Sequence, residues 1–186
     1  MNVGIVSARY AEALLKYVNE TGNGESVYGQ ACILEKCFAT LEGMRDLIYH
    51  PKATSDQLKM RVLTTALGGE ENAAPELKRF FRLVIKHKRT KFLHLMLKIF
   101  IGKYRESKGI SWGRLITAVP SGQLEERLAG ILQDMTGRTL ELETKNDPSI
   151  IGGFIFDMGW TRMDASVASQ LNSIKRQFIE KNRRIV

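Results

Sequence analysis

The side chains best suited to catalysis or metal binding are few and widely spaced. The three histidines, His50, His87 and His94, have no carboxylate or second histidine at ligand spacing, and no HExxH motif occurs. Cys32 and Cys37 are five residues apart, which on a helix places them about 140° apart around the axis. That angle is poor for a shared metal ion, and no second ligand pair accompanies them. We therefore predict structural histidines, reduced buried thiols, and no metal or other cofactor.

The usual catalytic and nucleotide-binding motifs do not occur either. The sequence contains no GxxxxGK[ST] phosphate loop, no GxGxxG turn after a strand and no GxSxG nucleophile elbow. The adjacent carboxylates Glu125 and Glu126 point about 100° apart on a helix, so they are not a paired acid and base. Gly152 and Gly153 could cradle an anion, but a tight entry into a strand is the better interpretation, because glycine permits positive φ. We predict a protein without catalytic residues.

The composition is that of a folded protein with unevenly placed charge. Of the 186 residues, 44% are apolar, and the formal net charge is +8. The N-terminus lacks the basic region of a secretion signal, and no apolar run approaches the roughly 18–20 residues that span a bilayer. Residues 78–108 hold 11 basic side chains and one acid, Glu106. Such a segment indicates contact with an acidic protein, nucleic acid or anionic lipid, unless it is only a solvated helix surface.

Residues 1–108 predict a bundle of six helices. Apolar residues recur at intervals of three and four, and glycine or proline separates the segments. The fourth helix begins with a capping box from Thr54 to Gln57, has Leu58 and Val62 on its apolar face, and ends at Gly68. The other predicted helices are Val3–Glu20, Glu25–Leu41, Glu42–Tyr49, Pro75–Lys88 and Phe92–Ser107.

Residues 109–186 predict a second, smaller α/β domain, so that the fold class is α+β overall. β-branched and alternating segments favour strands, and apolar residues at helical spacing favour helices. Asp164-Ala165-Ser166 is expected to cap the last helix, which ends near Lys181 to Arg184. The predicted order is strand Trp112–Val119, helix Gly122–Met135, strand Thr139–Thr144, strand Gly153–Met158 and the final helix.

Two stretches, taken together, resemble one protein family. Ser7-Ala8-Arg9-Tyr10-Ala11-Glu12-Ala13-Leu14 is similar to the opening of ATP synthase delta subunits and of their mitochondrial counterpart, the oligomycin-sensitivity-conferring protein. Asp147-Pro148-Ser149-Ile150-Ile151-Gly152-Gly153-Phe154, followed by Asp164-Ala165-Ser166-Val167 and Leu171, resembles the C-terminal signature of that family. The segment from Ile116 to Val119 also resembles a family strand. The residues that carry the family signature are Arg9, Arg89, Gly152, Gly153, Asp164 and Ser166.

The resemblance implies a non-catalytic stator subunit of an F-type ATP synthase, which resists rotor torque during proton-driven ATP synthesis. In this family a groove between the first and fifth helices receives the N-terminal helix of an alpha subunit, and the C-terminal part meets the C-terminus of the stalk b subunit. The implied location is the cytoplasmic face of a bacterial inner membrane, reached only through the complex. Carried onto this chain, the groove residues are Tyr10, Ala13, Tyr17, Phe80, Leu83 and Val84.

Two other functions stay open on the sequence alone. The basic segment 78–108 favours an RNA- or ribosome-associated protein, although its aromatic residues Phe80 and Phe81 are expected to be buried rather than available for base stacking. A small enzyme is the other alternative. Under the stator interpretation, which involves no nucleic acid, the same basic segment is expected to contact acidic surface on alpha or b, and salt should then weaken binding.

Overall fold

The computed structural model describes residues 3–49, 55–120, 137–159 and 161–183, together with positions 122, 126–127, 130–131 and 133–134. The chain forms two compact units, Met1–Tyr104 and Arg105–Val186. The sequence places a domain boundary a few residues later, after residue 108, and that boundary stays a prediction. Most of the predicted helix Gly122–Met135 lies outside the described residues.

The N-terminal part is helical, as the apolar periodicity predicts. Each buried face repeats at intervals of three and four, for example Ala11, Leu14 and Val18 in the first helix, all 2% exposed or less. The core between the helices is filled by Phe38, Phe81 and Phe100, which are fully buried. The helices are α1 (Val3–Thr21), α2 (Gly24–Thr40), α3 (Glu42–Tyr49), α4 (Asp56–Thr65), α5 (Pro75–Lys86) and α6 (Leu93–Lys108), with a 3₁₀ turn at Thr90–Phe92 before α6.

The beginning of α4 corrects one prediction. Ser55 caps this helix, since its hydroxyl oxygen accepts a hydrogen bond of 3.2 Å from the amide of Leu58. The predicted cap, Thr54, lies outside the described residues. The apolar face predicted from Leu58 is also wrong, since that side chain is 43% exposed, whereas Lys59 and Leu63 are buried. A change of one residue turns a helix face by about 100°, which accounts for the difference.

The C-terminal unit is built on a four-stranded sheet, where the sequence predicted three strands. The strands are β1 (Ile110–Thr117), β2 (Thr139–Asn146), β3 (Phe154–Met158) and β4 (Thr161–Asp164), in the order β2-β1-β3-β4. β1 pairs parallel to β2 and antiparallel to β3, and β3 pairs antiparallel to β4. The missed strand, β4, has four residues, all exposed, and so lacks the alternation by which a strand is recognised.

A cluster of charged and aromatic side chains ties β1 to β2. The guanidinium groups of Arg105 and Arg114 both contact the Trp112 ring, at 5.4 and 5.6 Å from its centroid. Arg105 and Arg114 also bond the carboxylates of Glu141 and Glu143 at 3.1 and 3.2 Å. This arrangement fixes the β1–β2 pair through side chains as well as through the backbone ladder.

The last helix among the described residues is α7 (Val167–Arg183), which has an exposed apolar stripe. Ser166 begins this helix, and its hydroxyl oxygen accepts from the Ser169 amide at 3.2 Å. Every side chain described from position 170 onward in the helix is exposed. Over the described residues, no helix has the length and apolar character needed to cross a membrane.

Candidate partner-binding groove

The groove lies between α1 and α5, which run antiparallel. At one end, the Asn23 amide after α1 donates a hydrogen bond of 2.8 Å to the Glu76 carboxylate in the first turn of α5. Burial alone would raise the pKa of Glu76, but this bond and others to the carboxylate outweigh burial and lower it. Toward the other end, Tyr10 in the N-terminal half of α1 contacts Arg89 just after α5. These contacts hold the two helices side by side in a fixed register.

The space between the two helices is an open groove of about 660 Å³. Tyr10, Ala13 and Tyr17 form its α1 wall, and Phe80 and Leu83 belong to its α5 wall, so five of the six predicted groove residues line it. The complete lining is Tyr10, Ala13, Leu14, Tyr17, Glu20, Arg79, Phe80, Arg82, Leu83 and Lys86. Ala13 is exposed, and its small side chain leaves room for a closely approaching backbone.

Val84 is the exception among the predicted groove residues. Its side chain is fully buried, and it lies outside the lining. On α5 the groove side is occupied by Arg79, Arg82 and Lys86, at intervals of three and four, together with Leu83. The sequence prediction chose only apolar residues on this helix, and apolar periodicity marks the face that packs into the core. Val84 is therefore a core residue and no longer a candidate contact.

An arginine holds each groove tyrosine in place. The Arg89 guanidinium lies 5.3 Å from the centroid of the Tyr10 ring and donates a hydrogen bond of 3.2 Å to its hydroxyl. The Arg79 guanidinium lies 5.3 Å from the Tyr17 ring and donates to its hydroxyl at 3.4 Å. Tyr10 also packs edge-on against Phe80. The aromatic wall is therefore positioned before any partner arrives, which lowers the entropic cost of binding.

The charge along the groove is unequal. The lining contains three cations, all on α5, and one carboxylate, Glu20, on α1. Two turns earlier in α1, Glu12 bonds Lys103 at 2.6 Å, and that hydrogen bond lowers the pKa of the Glu12 carboxyl. We call the apolar and aromatic lining of the two walls, together with Leu14, the floor of the groove, and a basic edge lies on its α5 side.

The C-terminal signature residues have structural roles. Asp164 accepts hydrogen bonds from the Ser166 hydroxyl at 2.6 Å, the Ser166 amide at 3.0 Å and the Ser169 hydroxyl at 2.7 Å, and these bonds lower its pKa to about 2. Gly153 has φ of +73°, and a Cβ there would overlap the Ala165 carbonyl oxygen. Gly152 lies against Val167, where a Cβ would approach a methyl carbon to 3.1 Å. The glycine pair therefore lets the chain before β3 lie against the beginning of α7.

Little else in the described residues suggests chemistry. His94 packs flat against the Phe38 ring, with its Nε2 atom 3.5 Å from the Glu35 carboxylate, a neighbour that sequence spacing did not reveal. Cys32 and Cys37 are half-buried. No group of three or more His, Cys, Asp or Glu side chains that could hold a metal ion is found within the described part of the chain. Arg9, a signature residue, is exposed on α1.

Comparison with known proteins identifies the family. The family model described as ATP synthase delta (OSCP) subunit matches residues 6–178. Proteins named ATP synthase subunit delta from Phocaeicola vulgatus and Bacteroides fragilis are 41% and 42% identical to this chain, over the full length of each. A chain in the cryo-EM structure of the Toxoplasma gondii mitochondrial ATP synthase hexamer has the same fold, with a TM-score of 0.65 and 22% identity, covering 93% of this chain and 97% of its own. The chain belongs to the delta (OSCP) subunit family of F-type ATP synthases.

Proposed function

We propose that this chain is a stator connector, whose α1–α5 groove binds the N-terminal helix of an ATP synthase alpha subunit. The observation that carries this proposal is the groove itself, which is open, apolar at its floor and walled by two fixed tyrosines. An amphipathic helix can lay its apolar face into such a groove. The exposed Ala13 between the tyrosines allows the partner backbone to come close.

The mechanical role follows from how such a contact resists force. A connector that bears torque needs slow dissociation rather than catalysis, and slow dissociation comes from a well-packed apolar contact. A groove that is already formed adds to this, because little ordering entropy is lost on binding. In this proposal the chain is peripheral to the cytoplasmic face of the membrane and reaches it only through the complex during proton-driven ATP synthesis.

The second partner in the proposal is the C-terminus of the stalk b subunit, bound through α7. Val167, Leu171, Ile174 and Phe178 recur at intervals of four, three and four and are 36–65% exposed. A contiguous apolar stripe exposed on a 17-residue helix is typical of a protein-binding surface. Coiled-coil or groove packing against another helix would bury this stripe.

The groove is tested with a synthetic peptide of the alpha-subunit N-terminal segment from the same genome. Ala13→Trp places a large ring in the groove and should weaken binding by about 100-fold or more, as loss of a central contact does. Asn19→Trp is the matched control, because Asn19 is exposed on α1 but does not line the groove. Equal binding by both variants, or no binding by the wild-type chain, would refute the groove assignment.

The b-subunit contact has its own test. Leu171→Glu with Phe178→Glu should abolish capture of a b C-terminal segment, since two charges would enter an apolar interface. Asn172→Glu with Ser173→Glu adds the same charge at exposed positions about 130° around the helix from the centre of the stripe, and should leave capture unchanged. If both double variants retain binding, b does not bind to the α7 stripe.

A further inference from the structure

A row of cations follows the α5 edge of the groove. Arg79, Arg82 and Lys86 all line it, at intervals of three and four residues, so they lie along one side of the helix. All three are exposed. We call these three residues the cationic rim.

The rim charges are largely available for a partner. Arg79 lies over the Tyr17 ring and bonds its neutral hydroxyl, so its positive charge is not neutralised by that contact. Arg82 and Lys86 form no ion pair with any residue that the structure describes. The rim therefore presents an uncompensated positive edge beside an apolar floor.

The spacing of the rim defines what would complement it. Seven residues of helix separate Arg79 from Lys86, a rise of about 10 Å or two turns. A second helix lying in the groove repeats its own side chains with the same rise. Carboxylates three, four or seven residues apart on its flank could each face a rim cation, while its apolar face fills the floor. Once the apolar face of a partner covers the floor, charges beside it interact more strongly than fully solvated ones.

We propose that the cationic rim selects an amphipathic helix whose flank facing α5 carries carboxylates. The inference rests on the proposed function, because it specifies the chemistry of the alpha-subunit helix in the groove. Rim charges of this kind speed encounter and reject partners of the wrong charge, whereas the apolar floor governs dissociation. Selection against helices with basic flanks follows from the same charges.

The test compares two peptides and three forms of the full chain. One peptide is the native alpha-subunit N-terminal segment, and the other, the neutral peptide, has every Asp and Glu replaced by Asn and Gln and every Lys and Arg replaced by Gln. The rim variant is Arg82→Glu with Lys86→Glu. The control variant, Arg61→Glu with Lys98→Glu, makes the same change in net charge at exposed α4 and α6 positions outside the groove. Circular dichroism confirms that each variant is folded.

We expect the rim variant to bind the native peptide about 10-fold or more weakly, and the control variant to bind within about 2-fold of wild type. The neutral peptide should bind all three forms alike. Raising salt from about 50 mM to about 500 mM should weaken binding only between the native peptide and the two forms that keep the rim, wild type and the control variant.

Each failure points to a different conclusion. If the native peptide binds wild type and the rim variant equally while Ala13→Trp still blocks it, the groove is correct and the charge selection is wrong. If neither peptide binds wild type, the proposed function itself fails. Tight RNA binding that the rim variant loses would also overturn the proposal, because the rim would then be a polyanion site.

Discussion

The contact between Tyr10 and Arg89 should contribute measurably to the stability of the helical unit. It combines a cation–π contact at 5.3 Å with a charged hydrogen bond of 3.2 Å, in a part-buried setting. The first is worth about 0.5–1 kcal/mol at an exposed site, and a hydrogen bond to a charged group about 1.5–3 kcal/mol when it is well formed. Because solvent reaches the pair, we expect a coupling free energy of about 1.5 kcal/mol.

A double-mutant cycle of Tyr10→Ala and Arg89→Ala measures this coupling. Tyr10→Ala also removes the edge contact with Phe80, but that loss occurs on both sides of the cycle and cancels. Urea unfolding is followed by far-ultraviolet circular dichroism, because both tryptophans, Trp112 and Trp160, come after residue 104 in the sequence and their fluorescence would not report the helical unit.

Two further variants separate the parts of the contact. Tyr10→Phe keeps the ring and loses only the hydroxyl, so it should lower the free energy of unfolding by about 1 kcal/mol. Arg89→Lys keeps the charge but loses the planar group that stacks on the ring, and it should not restore the coupling. A coupling free energy below about 0.3 kcal/mol would refute the idea that Arg89 holds the tyrosine wall of the groove.

Three other outcomes are expected. Gly153→Ala should lower the free energy of unfolding by about 2–5 kcal/mol, because of left-handed backbone strain and overlap with the Ala165 carbonyl oxygen. Gly152→Ala should lower it by about 1 kcal/mol or less. Urea unfolding followed by tryptophan fluorescence measures both, and similar losses would contradict the prediction. Because the pKa of Asp164 is about 2, its contribution to folding stability is complete above about pH 4 and is lost as the pH falls through about 2. Its carboxyl NMR resonance should therefore titrate near pH 2 and not near 3.8. A spin label on the N-terminus of the bound alpha peptide should broaden resonances near Glu20 and not near Lys86, because the positive end of a helix dipole favours the carboxylate; the reverse pattern would show the opposite polarity.

The helical half of the fold follows closely from the sequence because its helices are amphipathic and bounded by glycine or proline. The observed ends of α1, α2 and α3 lie within one residue of those predicted. The capping of α4 was harder to predict, because Thr54, Ser55 and Asp56 are all good caps and local chemistry does not choose among them. The burial of Lys59 and Leu63 determines which face of α4 points inward, and that burial depends on tertiary contacts rather than on the local sequence.

The groove was predicted through the family resemblance and only partly through periodicity. Resemblance placed Tyr10, Ala13 and Tyr17 on one helix face, and the structure puts them together along the wall. It could not reveal that Arg89 reaches back across 79 positions in the chain to the Tyr10 hydroxyl. Nor could it show the cationic rim, since basic residues on a helix usually mark only the solvated side.

The groove separates two physical tasks between its surfaces. Its floor is apolar and its tyrosines are held by Arg79 and Arg89, so the proposed partner helix should lose little entropy on binding and dissociate slowly. Arg82 and Lys86 lie at the edge, where salt screens them and where charge mainly affects the rate of encounter. A mutation at the floor should therefore change the dissociation rate, and a mutation at the rim the association rate and its salt dependence. In the proposed stator role, resistance to torque would depend on the dissociation rate, and choice of the correct helix during assembly on the association rate.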